Sequence, residues 1–272
     1  MAVARNRRGI FQRSPCTNQN KKMTLTKAAI KNHEELFPNY KSTLQETDPE
    51  LIEIFDNFAF DEVIGHGGLD TKTRLMMILG STIASQALNE YRVMVGAALN
   101  IGVTPVEIKE ILYQAVPYVG ISKVLDFIHA TNDILQSKGI QLPLKGQSTV
   151  SPETRHARGL DLRKQVFGDT TEKMYFDSPK DQLHFQKYLS ANCFGDYYTR
   201  AGLEIKTREL LTFAMLVSLG GAEPQVKSHI QGNLNIGNGK EIMLSVVTHL
   251  LPYIGYPRAL NAVRCLNEVK PD

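Results

Sequence analysis

The chain has 272 residues, of which 42% are hydrophobic and 22% are charged, so it can bury a sizeable core and has the composition of a globular protein. Its formal net charge is +3, but residues 1–22 hold six cations and no acid, which leaves −3 for the rest of the chain. A mildly acidic body disfavours nucleic-acid binding, and no stretch approaches the roughly 18 uncharged apolar residues of a membrane span. We expect a cytoplasmic protein with a disordered basic leader at 1–22.

Cysteine usage limits the chemistry further. The three cysteines, Cys16, Cys193 and Cys265, are widely separated and form no Cys-x-x-Cys pair. This pattern argues against a disulfide scaffold and against a zinc site, and it fits a reducing compartment. The absence of such a pair also removes the simplest redox chemistry.

The first half of the chain has helical periodicity. Asp48-Pro49-Glu50 is typical of a helix start, and residues 74–87 are apolar on almost every side, which indicates a helix buried all round. Further along, Thr104 reads as an N-cap and Glu107 as its capping-box partner. The helix that follows is predicted to bury one stripe, formed by Ile108, Ile111, Leu112 and Ala115.

The second half repeats this organisation. Ser178-Pro179 predicts a helix start ahead of residues 183–189, and residues 210–219 form a second helix that is apolar on nearly all sides. Strand-like alternation is nearly absent, so the fold class is all-α. The two apolar helices need more cover than one small unit offers, which predicts that they pack against each other and against neighbouring subunits.

Internal self-similarity is the strongest signal in the sequence. Three blocks recur in the same order at offsets of 134, 135 and 135 residues: 69–74 at 203–208, 99–102 at 234–237, and 117–120 at 252–255. Residues 138–151 carry the Gly, Pro and Ser punctuation of a linker. We predict a first repeat at 23–137, a linker at 138–151 and a second repeat at 152–272.

Three motifs in the second repeat resemble a known family. R-x-G-L-[DE]-x-K-T-R-E-L at 200–210, H-x-x-x-x-L-N-x-G at 229–237 and P-Y-x-G-x-P-x-x-L-N at 252–261 are similar to the carboxymuconolactone decarboxylase family, which shares its fold with the alkylhydroperoxidase D proteins. The first repeat looks like a diverged member. The resemblance implies two tandem helical repeats of this type, and a homotrimer that imitates a hexamer of single modules.

The peroxidase branch of that fold uses a Cys-x-x-Cys pair just before the family histidine. Counting back from His229, those places hold Ala222 and Gln225, so a dithiol cycle is not possible there. A peroxiredoxin-like activity would have to rely on Cys193 alone, and a small buried hydrophobe is the favoured interpretation of that residue.

The decarboxylase branch implies a lyase, or a related acid/base enzyme, that uses neither a cofactor nor a metal and acts on a small, anionic, carboxylated lactone-like substrate. In this sequence His229 would be the proton donor and Glu209 would orient it, while Arg208 or Arg200 would hold the substrate anion. A purely structural histidine is the alternative, as is a structural ion pair for Arg208, because Arg74 repeats it. A non-catalytic, ligand-binding oligomer is also consistent with these residues.

The first repeat lacks the two acid/base residues. Leu75 stands at the place of Glu209 and Met94 at the place of His229, while Glu90 lies near the helix that lost its histidine. One interpretation is a composite site. The other, which the two apolar replacements favour, is that the first repeat is a packing scaffold.

Overall fold

The computed structural model describes residues 24–40 and 42–269, and within these ranges the chain is helical with no strand. The predicted leader at 1–22 lies outside the described residues. The all-α fold class with two tandem helical repeats is confirmed. The helices before the linker are α1 (Lys27–Leu36), α2 (Leu44–Thr47), α3 (Pro49–Asn57), α4 (Val63–His66), α5 (Thr71–Ala84), α6 (Leu88–Asn100), α7 (Pro105–Val119) and α8 (Ile121–Ser137).

The helices after the linker follow the same plan, and a π-helical segment occurs at equivalent places in both halves. The first such segment is Phe58–Glu62, between α3 and α4, and the second is Leu189–Tyr198, directly after α11. The last helix is kinked at Gly255, whose φ of 76° breaks the helical run. The helices are α9 (Arg155–Phe167), α10 (Thr170–Asp177), α11 (Leu183–Tyr188), α12 (Ile205–Leu219), α13 (Glu223–Asn235) and α14 (Lys240–Glu268).

Local signals predicted some helix starts and missed another. Thr104 and Glu107 form the predicted capping box at the start of α7, and the stripe from Ile108 to Ala115 is fully buried. The start predicted at Ser178-Pro179 is wrong, because Ser178 ends α10 and donates its hydroxyl to the Met174 carbonyl. The next helix, α11, begins only at Leu183.

The two apolar helices, α5 and α12, cross at the centre of the molecule. At the crossing, a Cβ on Gly80 would lie 2.5 Å from Leu211 Cδ1, so the glycine lets the two helices approach closely without displacing the Leu211 side chain. The Ser218 hydroxyl donates to the Ser81 hydroxyl across the same contact at 2.8 Å. Because α7 also packs on α12 and α14 packs on α5, each half completes the core of the other.

Helix α9 packs so closely on the second π-helical segment that the two backbones are in contact. A Cβ on Gly159 would lie 1.9 Å from the Ser190 carbonyl oxygen, and a Cβ on Gly195 would lie 2.2 Å from the Arg155 carbonyl oxygen. Two glycines therefore set the spacing between these elements, and this spacing fixes where Cys193, Phe194 and Tyr198 enter the core.

In the part of the chain that the structure describes, no helix is both long enough and apolar enough to cross a membrane.

Candidate active site

A buried carboxylate and a buried imidazole face each other in the second repeat. Glu209 lies in the first turns of α12 and His229 lies in the middle of α13, and Glu209 Oε2 is 2.8 Å from His229 Nδ1. The carboxylate is fully buried and His229 is 7% exposed. Because a carboxylate only accepts hydrogen bonds, this contact assigns the proton to Nδ1 and leaves Nε2 for chemistry or for a ligand.

Two asparagines hold the helices that carry this pair. Asn233 lies one turn after His229 on α13 and donates from Nδ2 to the carbonyls of Glu209 and His229, at 3.1 and 2.7 Å. Asn238 in turn donates to Asn233 Oδ1 at 2.8 Å. The pair thus rests on a rigid frame, which reduces the freedom of the imidazole.

Aromatic rings enclose the imidazole edge-on. The ring centroids of Phe167, from α9, and Tyr118, from α7, lie 5.3 and 5.6 Å from that of His229. Tyr118 belongs to the first repeat, so the two halves of the chain build this site together.

A chain of hydroxyl groups runs away from the imidazole. The hydroxyls of Tyr118 and Tyr198 are 2.8 Å apart, and that of Tyr198 is 2.6 Å from Thr212 Oγ1. Burial, together with the nearby Cys193 and Glu209, raises the pKa of both phenols well above the usual range. Both tyrosines therefore stay protonated and can act as hydrogen-bond donors.

The second oxygen of the Glu209 carboxylate, Oε1, takes no part in the contact with His229. This oxygen is buried and has no hydrogen-bond partner among the described residues. An unsatisfied buried carboxylate oxygen costs stability, so its presence in a well-packed core is a common mark of a functional site.

Cys193 lies at the edge of this cluster, with its sulfur 3.8 Å from the Tyr118 hydroxyl. Burial raises the pKa of the Cys193 thiol to about 12. The thiolate that peroxide chemistry needs is therefore strongly disfavoured at neutral pH.

The two predicted substrate-binding arginines meet on one carboxylate of the first repeat. Glu110, on α7, accepts from Arg208 Nη2 at 2.8 Å and from Arg200 Nε at 2.9 Å. Arg208 is fully buried and also donates to Gln114 Oε1 and to the carbonyls of Leu203 and Arg200. These contacts favour a structural role for Arg208.

The structure therefore brings the four predicted site residues together as two separate pairs. Glu209 pairs with His229, and Arg208 joins Arg200 through Glu110. Arg200 is 18% exposed and lines two surface cavities, of about 410 and 460 Å³, whose walls do not include Glu209 or His229. The catalytic and substrate-binding roles of all four residues stay predictions.

The equivalent place in the first repeat has no acid/base pair. Leu75 and Met94 are both fully buried in the main core. Within residues 24–40 and 42–269, no group of three or more His, Cys, Asp or Glu side chains is placed to hold a metal ion.

Sequence comparison matches both repeats to one family. The profile of the carboxymuconolactone decarboxylase family matches residues 49–133 and 184–268, which together make up more than half of the chain. The chain belongs to the carboxymuconolactone decarboxylase family. Each matched region contains one of the places compared above, so Glu209 and His229 in the second region stand against Leu75 and Met94 in the first.

Two relatives in the carboxymuconolactone decarboxylase family extend the comparison. The 4-carboxymuconolactone decarboxylase of Acinetobacter baylyi is 29% identical over 124 residues, which is 45% of this chain and 92% of that protein. A crystal structure of a protein provisionally assigned as a gamma-carboxymuconolactone decarboxylase subunit, from Burkholderia xenovorans, covers 87% of this chain and 95% of its own. It has a TM-score of 0.50 at 20% identity and so supports the fold alone.

The sequence interpretation missed several residues of this site in the carboxymuconolactone decarboxylase fold. Asn233 could have been predicted, because it follows His229 by four residues and residues four apart lie on the same face of a helix. Tyr118 was visible as part of a repeated Pro-Tyr-x-Gly block, but its contact with the other repeat was not. Glu110 and Tyr198 carried no local signal.

Proposed function

We propose that the protein is a cofactor-free decarboxylase of small carboxylated lactones, with His229 and Glu209 as its acid/base pair. The observation that carries this proposal is the buried 2.8 Å contact between Glu209 Oε2 and His229 Nδ1. Membership in the family and the name of the Acinetobacter relative support the reaction class and suggest a carboxymuconolactone-like substrate.

Decarboxylation of such a lactone needs one proton donor, placed next to the carbon that loses the carboxylate. When the carboxylate leaves as CO₂, the electron pair of the broken C–C bond passes into the conjugated lactone carbonyl and forms an enolate. A protonated His229 delivers the Nε2 proton to carbon and is then reprotonated from water. Glu209 Oε2, 2.8 Å from Nδ1, accepts the hydrogen bond that holds the imidazole in place during this step.

The buried phenols supply the second requirement. A developing enolate oxygen is stabilised by fixed hydrogen-bond donors in a site that excludes water. Tyr118 and Tyr198 stay protonated and their hydroxyls are held 2.8 Å apart, so either could donate to that oxygen. Tyr118 is closer to the pair because its ring contacts the imidazole.

A cation must hold the substrate carboxylate until it leaves. Of the two predicted arginines, Arg200 is the better candidate, because its side chain is partly exposed, whereas the guanidinium of Arg208 is occupied by four acceptors. The cavities that Arg200 lines do not include His229, so this role requires a rearrangement on substrate binding. Arg200 would exchange part of its contact with Glu110 for the substrate.

The decisive experiment is the decarboxylation of 4-carboxymuconolactone, followed as CO₂ release. We expect His229→Ala to reduce kcat by roughly 10²–10⁴-fold and Glu209→Gln to reduce it by a similar factor. His129→Ala, which removes an exposed histidine from α8, is the matched control and should keep full activity. A fully active His229→Ala protein would end the proposal.

A non-catalytic binding role is the second candidate. In the isolated chain His229 is 7% exposed and two aromatic rings close over it, so the site resembles a packed core. If this role is correct, the protein turns over no lactone, and His229→Ala changes the affinity for a carboxylated lactone measured by calorimetry.

We also propose a cytoplasmic homotrimer that imitates a hexamer of single modules. The support is a set of exposed apolar residues at matching places in the two repeats: Leu51 and Ile54 match Phe185 and Tyr188, and Tyr256 and Leu260 match Ile121 and Leu125. Large exposed apolar groups that the duplication repeats are typical of interfaces.

The assembly can be tested at one groove. Leu51, Ile54 and Tyr256 line a groove of about 580 Å³ between α3 and α14. Sedimentation of the native chain should give three copies, and Ile54→Glu should shift it to the monomer. A native protein that sediments as a monomer at all concentrations contradicts the trimer.

A further inference from the structure

The duplication allows each buried charged residue to be compared with its counterpart in the other repeat. This comparison shows that Arg74 lacks the partners of its counterpart. In the second repeat, the equivalent residue Arg208 is neutralised by Glu110 and held by Gln114. The residues that correspond to Glu110 and Gln114, 135 positions later, are Ser245 and His249. Both replacements lack a negative charge.

The correspondence also holds in space. A Cβ on Gly202 would lie 2.4 Å from Glu110 Cγ, and at the equivalent place a Cβ on Gly68 would lie 3.9 Å from the Ser245 hydroxyl oxygen. Ser245 also accepts the backbone N–H of Gly68 at 3.3 Å. The structure therefore places Ser245 where the neutralising carboxylate stands in the other half.

Arg74 is left without the partners of its counterpart. It is 7% exposed, and its guanidinium makes no hydrogen bond and no ion pair with the described residues, whereas Arg208 makes four hydrogen bonds. The guanidinium is largely buried, although its nitrogens keep some contact with solvent, so an opposite charge beside it would be favourable.

His249, like Arg74, lacks a hydrogen-bond partner, which indicates that one group is missing beside both residues. It is 1% exposed, and both of its ring nitrogens are buried without a hydrogen-bond partner. Nε2 lies against Gly67, where a Cβ would be only 2.0 Å away, so the loop closes over this imidazole. Burial, together with Arg74, lowers the pKa of His249 to about 4, so the ring is neutral and carries one N–H donor.

A small cavity connects these groups. Arg74, His249 and Tyr253 line a space of about 10 Å³, which is about the volume that one water-sized particle needs, so any ion that enters it is small. The other lining residues are apolar: Leu36, Ala59, Phe60, Val63, Ile64, Leu75 and Ile78. Among the described residues, the Tyr253 hydroxyl makes no hydrogen bond, unlike that of its counterpart Tyr118.

The neighbouring carboxylates do not balance Arg74. Glu35 and Asp70 are close enough to act on its charge, but neither forms an ion pair with it, and Asp70 caps α5 through Thr73. Asp56 and Glu90 act on Tyr253, and burial raises the pKa of both carboxyls, which favours their neutral forms.

We propose that the cavity between Arg74, His249 and Tyr253 is a binding site for one small monovalent anion of halide size. The guanidinium supplies the charge, and the imidazole N–H and the phenol O–H supply further donors, within an apolar wall that excludes larger anions. The bound anion does in the first repeat what the Glu110 carboxylate does in the second. This proposal is independent of the decarboxylase activity.

The direct test is a crystal of the native chain grown or soaked in sodium bromide, with data collected at the bromine edge. We expect an anomalous peak in contact with Arg74 and His249, and no peak at the equivalent position beside Arg208, where Glu110 already supplies the charge. Each molecule thus carries its own control. A water molecule without anomalous signal at Arg74 would overturn the proposal.

A pair of variants tests the internal comparison. Ser245→Glu with His249→Gln restores the carboxylate and the amide of the other half, so the bromide peak should disappear while the protein folds at least as well. Ser245→Glu alone is the second variant. It adds the carboxylate but keeps the His249 imidazole, so it still tests the proposal if the double variant fails to fold. A bromide peak of native height in both variants would contradict the assignment.

A solution measurement follows the same site without crystals. The imidazole of His249 should titrate at a higher pH in sodium bromide than in sodium gluconate, because a bound anion favours the imidazolium and gluconate is too large for the cavity. His249 is identified by the NMR signal lost in His249→Gln. Equal titration in the two salts would overturn the proposal.

Discussion

Replacement of Glu110 by glutamine is the sharpest test of how the two repeats are joined. Glu110 belongs to the first repeat and is 1% exposed, and it binds two arginines of the second repeat at 2.8 and 2.9 Å. Glutamine keeps the shape but removes the carboxylate that, among the described residues, is the only one in contact with the buried Arg208. The variant therefore leaves a desolvated guanidinium without a counter-charge.

The expected loss follows from that imbalance. Breaking a buried ion pair by removing one partner costs roughly 3–5 kcal/mol, and most of this cost comes from the buried charge that remains. The contact with Arg200 adds less, because that side chain is partly exposed and solvent screens the interaction. We expect Glu110→Gln to lower the free energy of unfolding by about 3–5 kcal/mol.

The assay is urea unfolding at one fixed protein concentration, with the midpoint and the slope both measured. Lys72→Met is the control, because it removes a partly exposed ion pair between Lys72, on α5, and Glu107, which lies on α7 with Glu110. This change should cost less than about 1 kcal/mol. In a double-mutant cycle, Arg208→Met should recover much of the loss in the Glu110→Gln background. If Glu110→Gln costs no more than the control, the reasoning about the buried charge is wrong.

Three further predictions concern residues outside that ion pair. Gly67→Ala should destabilise the protein by roughly 1–3 kcal/mol, because the new methyl group meets the His249 ring at 2.0 Å, and the loss should vanish in a His249→Ala background when both are measured by urea unfolding. In halide-free buffer, stability should fall by roughly 3 kcal/mol as the pH drops from about 6.5 to about 4, because the pKa of His249 is lowered from 6.5 to about 4 on folding and the unfolded chain takes up the proton first; His249→Gln should remove this part of the pH profile. Cys193→Ser should leave lactone decarboxylation within about twofold of the native rate, since a thiol with a pKa of about 12 supplies no nucleophile, and a large loss would mean that the thiol takes part.

The sequence predicted what local periodicity and duplication can carry. The capping box at Thr104 and Glu107 and the buried stripe of α7 are properties of one helix, and the structure confirms both. The start predicted at Ser178-Pro179 failed because the same Ser-Pro pattern also ends helices, and here the serine hydroxyl bonds back to α10.

The cross-repeat contacts could not be predicted in the same way. Glu110 reads as a solvated charge on an amphipathic helix, and only the packing of α7 on α12 makes it a buried partner of Arg208. Tyr118 likewise meets His229 through tertiary packing, across 111 residues of sequence. Periodicity reports which face of a helix is buried, but it does not report what that face meets.

Exposed apolar residues show a second limit. The helix predicted to start ahead of residues 183–189 carries several large apolar side chains, yet Phe185, Tyr188 and Leu189 are exposed in the single chain. A sequence pattern does not distinguish a core surface from a subunit interface, because both bury apolar side chains.

The non-helical segment between α8 and α9, which includes the linker predicted at 138–151, joins the two repeats covalently, and this connection has a consequence for their stoichiometry. Two separate modules, one with Glu209 and His229 and one with Leu75 and Met94, would pair in three combinations, and only the mixed pair would bring Tyr118 and Glu110 against the partner that needs them. The covalent connection raises the local concentration of the correct partner and fixes the ratio of the two modules at one to one. Each repeat can therefore diverge in sequence, because within the chain it packs against the other repeat and not against a copy of itself.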